Sequence, residues 1–283
     1  MTIGFIGAGR VGCTLGKYLS EHGVDIAGFY SRTRESADMA ATFIQSETFS
    51  DIEDLVQNSE IIFITTPDGS IKCVWEEIRK FDISKKIICH FSGSLSSDIF
   101  SGIEQTGAYG CSVHPMYAFS SKFSSYEKFN TACLSVEGCE PALKVIYGIF
   151  REKCGHRIFK LDTDKKVQYH AAAAMASNCM IGLLEASVSL LQECGFNEED
   201  AWTLLSPLAV GNVNAAVEKG TKASLTGPVE RNDTGTVRKH REVLKGTKYD
   251  DIYASLGKIL ISIAEEKNTS VDYTEMCRVM EGI

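Results

Sequence analysis

The sequence predicts an α/β protein, a Rossmann-type doubly wound sheet followed by an all-helical second half, and three observations predict it. The apolar run Thr2-Ile3-Gly4-Phe5-Ile6 leads straight into Gly7-Ala8-Gly9-Arg10-Val11-Gly12, and a helical pattern with Leu15 and Leu19 follows. That is the strand, glycine turn and helix of a dinucleotide-binding unit. Further short β-branched and aromatic runs alternate with helical stretches as far as Leu161, as strands joined by crossover helices must. From Asp162 onward strands disappear, and a helical pattern runs from Lys165 to Glu193 before Gly195 stops it.

In the opening motif Gly7 makes the tight turn, Gly9 lets backbone approach a pyrophosphate, and Gly12 lets the helix lie close to the strand. Gly7, Ala8, Gly9, Arg10, Val11 and Gly12 are thus expected to hold the pyrophosphate on free N–H groups at the positive end of the helix. The second strand, Asp25 to Tyr30, decides the cofactor. A chain preferring NAD carries Asp or Glu near its end to hold the ribose 2′-OH. Here Ser31, Arg32, Thr33 and Arg34 stand in that place, a cluster that suits a 2′-phosphate. NADP(H) is therefore expected over NAD(H); the plainer reading is a solvated turn capping the next helix, with Ser36 as a further polar residue.

The run Glu60 to Asp68 reads as a buried strand closed by Pro67, so Thr65, Thr66, Pro67 and Asp68 are expected to border the cofactor. The next strand, Lys86 to Phe91, ends in the polar turn Ser92 to Ser97. Ser92 and Ser94 are candidates to contact the nicotinamide or a substrate carboxylate, unless the turn caps a helix starting near Ser97. His114 sits in a turn after a short strand and before Pro115. Its ring either faces a cleft and exchanges a proton, or is a structural histidine bonded to backbone. Strands at 132–136 and 157–161 bracket a helix over 141–153 and complete a sheet of up to eight strands.

The helix of the second half is about 40 Å long. Lys166, His170, Ser177 and Asn178 share a broad side of it, with Tyr169 beside them. They form either a substrate-facing cluster or a satisfied buried network. Asn197 caps the following helix, which is expected to bend or break at Pro207. The loop Leu225 to Gly235 brings Arg231, Asn232 and Asp233 together: a carboxylate clamp by Arg231 oriented by Asp233, or a charged face in solvent. Two final helices, near 250–267 and 270–281, read as core packing.

Composition sets the outer bounds. In 283 residues, 44% are hydrophobic and 23% charged, which suits a globular chain with a sizeable core. The net charge of −8 argues against a nucleic-acid partner, which needs a basic face. Apolar runs such as Ile61 to Ile64 are too short to span a bilayer, so no membrane partner is expected. The first strand begins at Thr2, leaving no room for a leader, and the expected location is the cytoplasm. The ten cysteines make no C-x-x-C pair and no metal-ligand spacing. They are read as reduced, with Cys13, Cys89, Cys133 and Cys179 as small core residues, and no metal is expected.

Taken together, GFIGAGRVG, YSRTRES, TTPD, HFSGSLSS, HPMYAFS, YHAAAAMASN and GPVERND resemble a family of Rossmann-like NADP oxidoreductases whose helical C-terminal half is a domain of unknown function. More distantly the layout is similar to ketopantoate reductase, pyrroline-5-carboxylate reductase, prephenate dehydrogenase and 3-hydroxyisobutyrate dehydrogenase. The resemblance implies a dinucleotide-binding domain over 1–161 and a helical domain of the 6-phosphogluconate dehydrogenase type over 162–283. It also implies a homodimer through the helical domain and a small-molecule substrate in the cleft between domains. His114 stands where prephenate dehydrogenases carry a catalytic His, and Ser92 or Ser94 stands near their substrate-binding serine. Asn178 fits the Asn of the hydroxyacid dehydrogenases, but Ala174 stands where they carry Lys. The proton must then come from His114, His170 or Lys166, with Asn178 orienting the substrate and Arg231 holding its carboxylate. The activity this implies is NADPH-dependent reduction of a small 2-oxo acid, ketopantoate first. The alternatives are a cyclic-imine reductase, a prephenate-type dehydrogenase and a non-catalytic NADP(H)-sensing module.

Overall fold

Helices cover both faces of the central sheet, which is why its strands read as unbroken apolar runs rather than alternating ones. The computed structural model describes residues 1–283. In chain order its first part runs β1 (Thr2–Ile6), α1 (Arg10–Glu21), β2 (Asp25–Tyr30), α2 (Arg34–Ile44), β3 (Glu47–Thr48), α3 (Ile52–Gln57), β4 (Ile61–Ile64) and α4 (Asp68–Ile78). Next come β5 (Ile87–His90), β6 (Tyr109–Met116), β7 (Cys133–Gly138), α5 (Glu140–Tyr147) and β8 (Ile158–Lys160). The strands lie in the order β3-β2-β1-β4-β5-β6-β7-β8. All pairs are parallel except β6 with β7. The chain therefore reverses direction across the sheet between β1 and β4, the switch point where such sheets open a crevice beyond their carboxyl ends.

The two faces have separate cores. Phe5, Phe29, Phe63, Cys89 and Val113 pack on one side with Leu15 and Leu19 of α1. Ile6, Ile62, Ile64 and Ile88 pack on the other with Leu55 of α3 and Trp75 of α4. Alternate residues of β4 thus serve opposite cores.

The remaining helices are α6 (Lys166–Ala174), α7 (Met180–Glu193), α8 (Glu198–Lys219), α9 (Thr221–Ser224), α10 (Thr234–Leu244), α11 (Lys248–Lys267) and α12 (Thr274–Glu281). A π-helical stretch, Met175–Cys179, joins α6 to α7. Contacts divide the chain into two compact units, Met1–Ala176 and Ser177–Ile283. The expected boundary at Leu161 follows the last strand, but α6 stays with the first unit because Lys166 is buried there against the sheet. The second unit has a core of its own: Val237 of α10, Ile261 and Ala264 of α11, and Tyr273, Met276 and Met280 around α12.

Several local expectations change. β6 continues through His114 and Pro115 to Met116 instead of turning at the histidine. Beyond Ser112 only β7 pairs with it, so Pro115 lies where the strand is effectively an edge and a missing N–H is tolerated. Only a three-residue 3₁₀ turn, Ser97–Ile99, forms where a helix near Ser97 was expected. α8 runs through Pro207 without ending, because the ring removes one hydrogen bond and leaves the rest of a long ladder intact. Cys179 is exposed rather than core, and all ten cysteines are free thiols. Thr163–Glu193 forms one helical run long and apolar enough to cross a membrane by length and composition. Over its most apolar 18 residues the mean hydropathy is 1.4 and only 6% is buried within the chain, so the expectation that every apolar stretch is too short does not hold for this helix.

Candidate active site

The first wall of the site is the glycine turn. Gly7 adopts a φ of +111°, a region closed to most L-residues, and a side chain there would also meet Thr65 backbone 2.8 Å away. A Cβ at Gly12 would collide with the Gly7 carbonyl, whereas Gly9 faces open space. Gly9 caps α1 without any side-chain hydrogen bond, so the first N–H groups of the helix remain available to an anion. Thr65 Oγ1 donates to the Gly7 carbonyl at 2.7 Å and ties β4 to the turn.

A cavity of about 530 Å³ opens from this turn. It is lined by Gly7, Ala8 and Gly9 at one end, Ser31, Arg32, Thr33 and Ser36 at the other, and Thr65, Thr66 and Pro67 along its side. The structure thus brings together most of the expected cofactor residues. Arg34 is not among them: it lies 3.8 Å from Asp38 along the exposed face of α2. Arg10, Val11 and Gly12 sit in the first turn of α1, Arg10 exposed and Gly12 buried. The fit to a dinucleotide rests on an orphaned atom as well as on shape, since Thr66 Oγ1 is buried with no hydrogen-bond partner, a cost that a bound polar group removes.

Past Pro67 the wall turns polar. Asp68 opens α4, and its Oδ2 accepts the Ser92 hydroxyl at 2.8 Å and the Ser94 hydroxyl at 2.9 Å. Between the two serines lies Gly93. A Cβ there would fall 2.8 Å from His114 Nε2 and would overlap the His170 ring, so only glycine lets both histidines close over this turn. The two imidazoles meet edge to face at 5.8 Å. Tyr169 completes the group, its hydroxyl 3.1 Å from His114 Nδ1, with the Ser135 side chain on the same phenol. The tautomer this network favours has Tyr169 donating to Nδ1, which leaves an N–H on Nε2 of His114.

Two buried groups hold the arrangement from below. His90 is fully buried; its Nδ1 accepts the Ser92 N–H at 3.2 Å and its Nε2 donates to the Ser96 carbonyl at 3.1 Å. It thereby shapes the turn that carries both serines. Lys166, 2% exposed, reaches Glu137 of β7 at 3.4 Å and also donates to Ser112 of β6. Glu137 in turn accepts Ser97 Oγ–H at 2.6 Å. Lys166 therefore pins the start of α6 to the sheet, and Tyr169 and His170 follow one turn later.

Burial, helped by nearby Lys166, pushes His90 down to about 4, and burial, Lys166 and His170 do the same to His114. Burial also draws Lys166 below the ordinary lysine range, with Glu137 opposing it. Between pH 6.5 and 4 the unfolded chain takes up protons on these histidines that the folded chain refuses. Stability is thus fully present above about pH 6.5 and falls as pH drops toward 4, by at most about 3 kcal/mol per histidine. Urea midpoints measured at pH 7 and pH 4.5 check this; an unchanged midpoint would contradict it.

The other expected site residues lie in the second unit. Asn178 is exposed and accepts the Ser177 hydroxyl at 3.1 Å. Asp233 caps α10, accepting the Thr236 N–H at 3.0 Å and its hydroxyl at 2.7 Å. Both interactions hold its carboxyl below the usual range. The carboxylate is thus engaged by Thr236, with the charge of Arg231 also acting on it, and Arg231 itself is exposed. Sequence reasoning did not single out Gly93, His90 or Glu137 as site residues, and it placed Asp68 only at the border of the cofactor.

A mostly parallel sheet with a glycine turn at its switch point, and a polar wall on the same edge, defines the class: a Rossmann-like domain carrying a ligand crevice. The chain matches a Rossmann-like domain over residues 1–115 and a domain of unknown function (DUF2520) over residues 132–259. It thus joins these two domains, the second beginning at β7 inside the first compact unit. No curated protein matches by sequence. Among solved structures it is similar to a proposed NADP oxidoreductase of Bacteroides fragilis, with 20% identity over 92% of this chain and 98% of that one and a TM-score of 0.73. A protein of Thermotoga maritima is 26% identical over 94% and 99% of the two chains, with a TM-score of 0.73. A pyrroline-5-carboxylate reductase of Coxiella burnetii is 15% identical over 94% and 97%, with a TM-score of 0.58.

Proposed function

We propose that the chain is an NADP(H)-dependent oxidoreductase that reduces a polarised carbon–oxygen or carbon–nitrogen double bond in a small molecule. The observation that carries the reading is the continuity of the wall: Thr66 and Pro67 line the dinucleotide cavity, and the next residue, Asp68, is bonded to the serines beneath His114. Gly7, Gly9 and the first turn of α1 hold the pyrophosphate, and Ser31, Arg32 and Thr33 hold the 2′-phosphate. NADPH, when bound, supplies the hydride.

The protein's own part is proton delivery. A neutral His114 with its proton on Nε2 donates to the developing charge of the substrate, and Tyr169 returns a proton through Nδ1. His170 closes the same opening. Lys166, expected as a proton source, is committed to Glu137 and Ser112, and acts by holding Tyr169 and His170 in place.

The experiment is a panel of ketopantoate-type 2-oxo acids and cyclic imines assayed for NADPH consumption, together with affinities for NADPH, NADP⁺ and NADH. Turnover of either class with NADPH bound at least about tenfold more tightly than NADH supports the reading. Tight binding of both redox forms with no turnover favours a sensing module instead, and activity only with NADP⁺ favours the prephenate-type dehydrogenase.

A homodimer through the helical domain belongs to the same proposal. Ile181, Leu204, Leu208, Val210 and Val217 of α7 and α8 are 51–81% exposed, large apolar side chains that a second copy of the chain would cover. Sedimentation that gives a monomer at micromolar concentration would count against it.

A further inference from the structure

We propose that Asp68 and Ser94, beside His114, form a subsite for a protonated nitrogen of the substrate, an ammonium or an iminium. The proposal rests on the reductase reading for the identity of the reacting molecule, but the binding it describes can be tested alone.

The argument is a count of protons. A serine hydroxyl has one proton and two lone pairs. Ser92 Oγ donates to Asp68 Oδ2 at 2.8 Å and accepts the N–H groups of Ser94 at 3.2 Å and Leu95 at 2.9 Å. Ser92 is therefore saturated, and its role is to shape the turn. Ser94 Oγ sends its only proton to the same carboxylate oxygen at 2.9 Å. What the pair presents outward is the lone pairs of Ser94 and the formal negative charge of Asp68.

This corner consequently favours a donor and opposes an acceptor. A substrate carboxylate or carbonyl oxygen placed here would meet acceptor with acceptor beside a negative charge, whereas an N–H of a cation finds charge-assisted partners. That reverses the expectation that Ser92 and Ser94 hold a carboxylate. A clamp serving only to fix the loop has no need of exposure, yet Asp68 is exposed and Ser94 partly so, while Ser92 is 5% exposed. The corner also faces the chemistry. Gly93, between the two serines, is where His114 Nε2 and the His170 ring converge, so a molecule held on Asp68 lies beside both imidazoles.

The test uses the full chain saturated with NADP⁺, with pyrrolidine, a cation at neutral pH, and cyclopentanecarboxylate as calorimetric probes. Pyrrolidine should bind wild type at least about tenfold more tightly than Asp68→Asn, about 1.4 kcal/mol, with a smaller loss in Ser94→Ala. Asp68→Asn is close in shape and on the surface, and thermal melts of both variants report folding directly. Equal pyrrolidine affinity in wild type and Asp68→Asn overturns the proposal, as does tighter binding of the carboxylate. A loss of NADP⁺ affinity in Asp68→Asn with pyrrolidine binding unchanged also overturns it, assigning the corner to the dinucleotide. None of these outcomes depends on turnover: the reductase reading fails separately, if NADPH binds and no double bond is reduced.

Discussion

Replacing His114 with Asn lowers kcat by about 10²- to 10⁴-fold and leaves the NADPH dissociation constant unchanged. The reason is geometric: His114 is the ring that both receives Tyr169 at Nδ1 and turns Nε2 over Gly93, and a positioned acid contributes about that much to a proton-transfer step. Asn cannot relay a proton between two nitrogens. Because His114 is already neutral well above pH 4, the wild-type rate should show no inflection near pH 6.5, where an ordinary histidine would lose its charge. Steady-state kinetics from pH 5 to 8, with cofactor binding followed by fluorescence, checks both statements. A loss of activity that tracks a loss of NADPH affinity would instead place His114 at the cofactor.

Replacing Glu137 with Ala destabilises the fold by about 3–5 kcal/mol, since it leaves a buried ammonium without its partner. Lys166 and Glu137 are 2% and 3% exposed along their side chains, so water cannot compensate for the loss. The double variant Lys166→Met with Glu137→Leu should recover most of that stability, because removing both charges removes the desolvation penalty as well. It should not recover full activity, since the start of α6 loses its anchor to Ser112 and Glu137 and Tyr169 is no longer fixed. Urea unfolding of the single and double variants, read beside kcat, separates the two effects. A Glu137→Ala protein within 1 kcal/mol of wild type would show that the pair holds nothing.

What could be read in the sequence was what lies close together along it. The strand, glycine turn and helix at Gly7 to Gly12, and the Ser31 to Thr33 cluster, are written within a few residues, and periodicity alone locates them. The cluster around His114 is different. Asp68 meets Ser92 and Ser94 across 24 and 26 residues, Lys166 meets Glu137 across 29, and His114 meets Tyr169 across 55. Those meetings exist only because the strand order sets β4, β5, β6 and β7 side by side, and no local pattern encodes a strand order. The serines illustrate the gap: their polarity marked a ligand-facing turn, but which way their protons point depends on Asp68, one strand away.

The burial of Lys166 bears on how this protein can be dissected. A fragment cut after Leu161, where the last strand gives way to helix, would keep every strand of the sheet yet strip Glu137 of its ammonium and His114 of its phenol. A fragment cut after Ala176 would keep both. The compact unit, and the piece to try as a separate fragment, therefore ends in the middle of a helix, about four turns beyond the place where the secondary structure changes character.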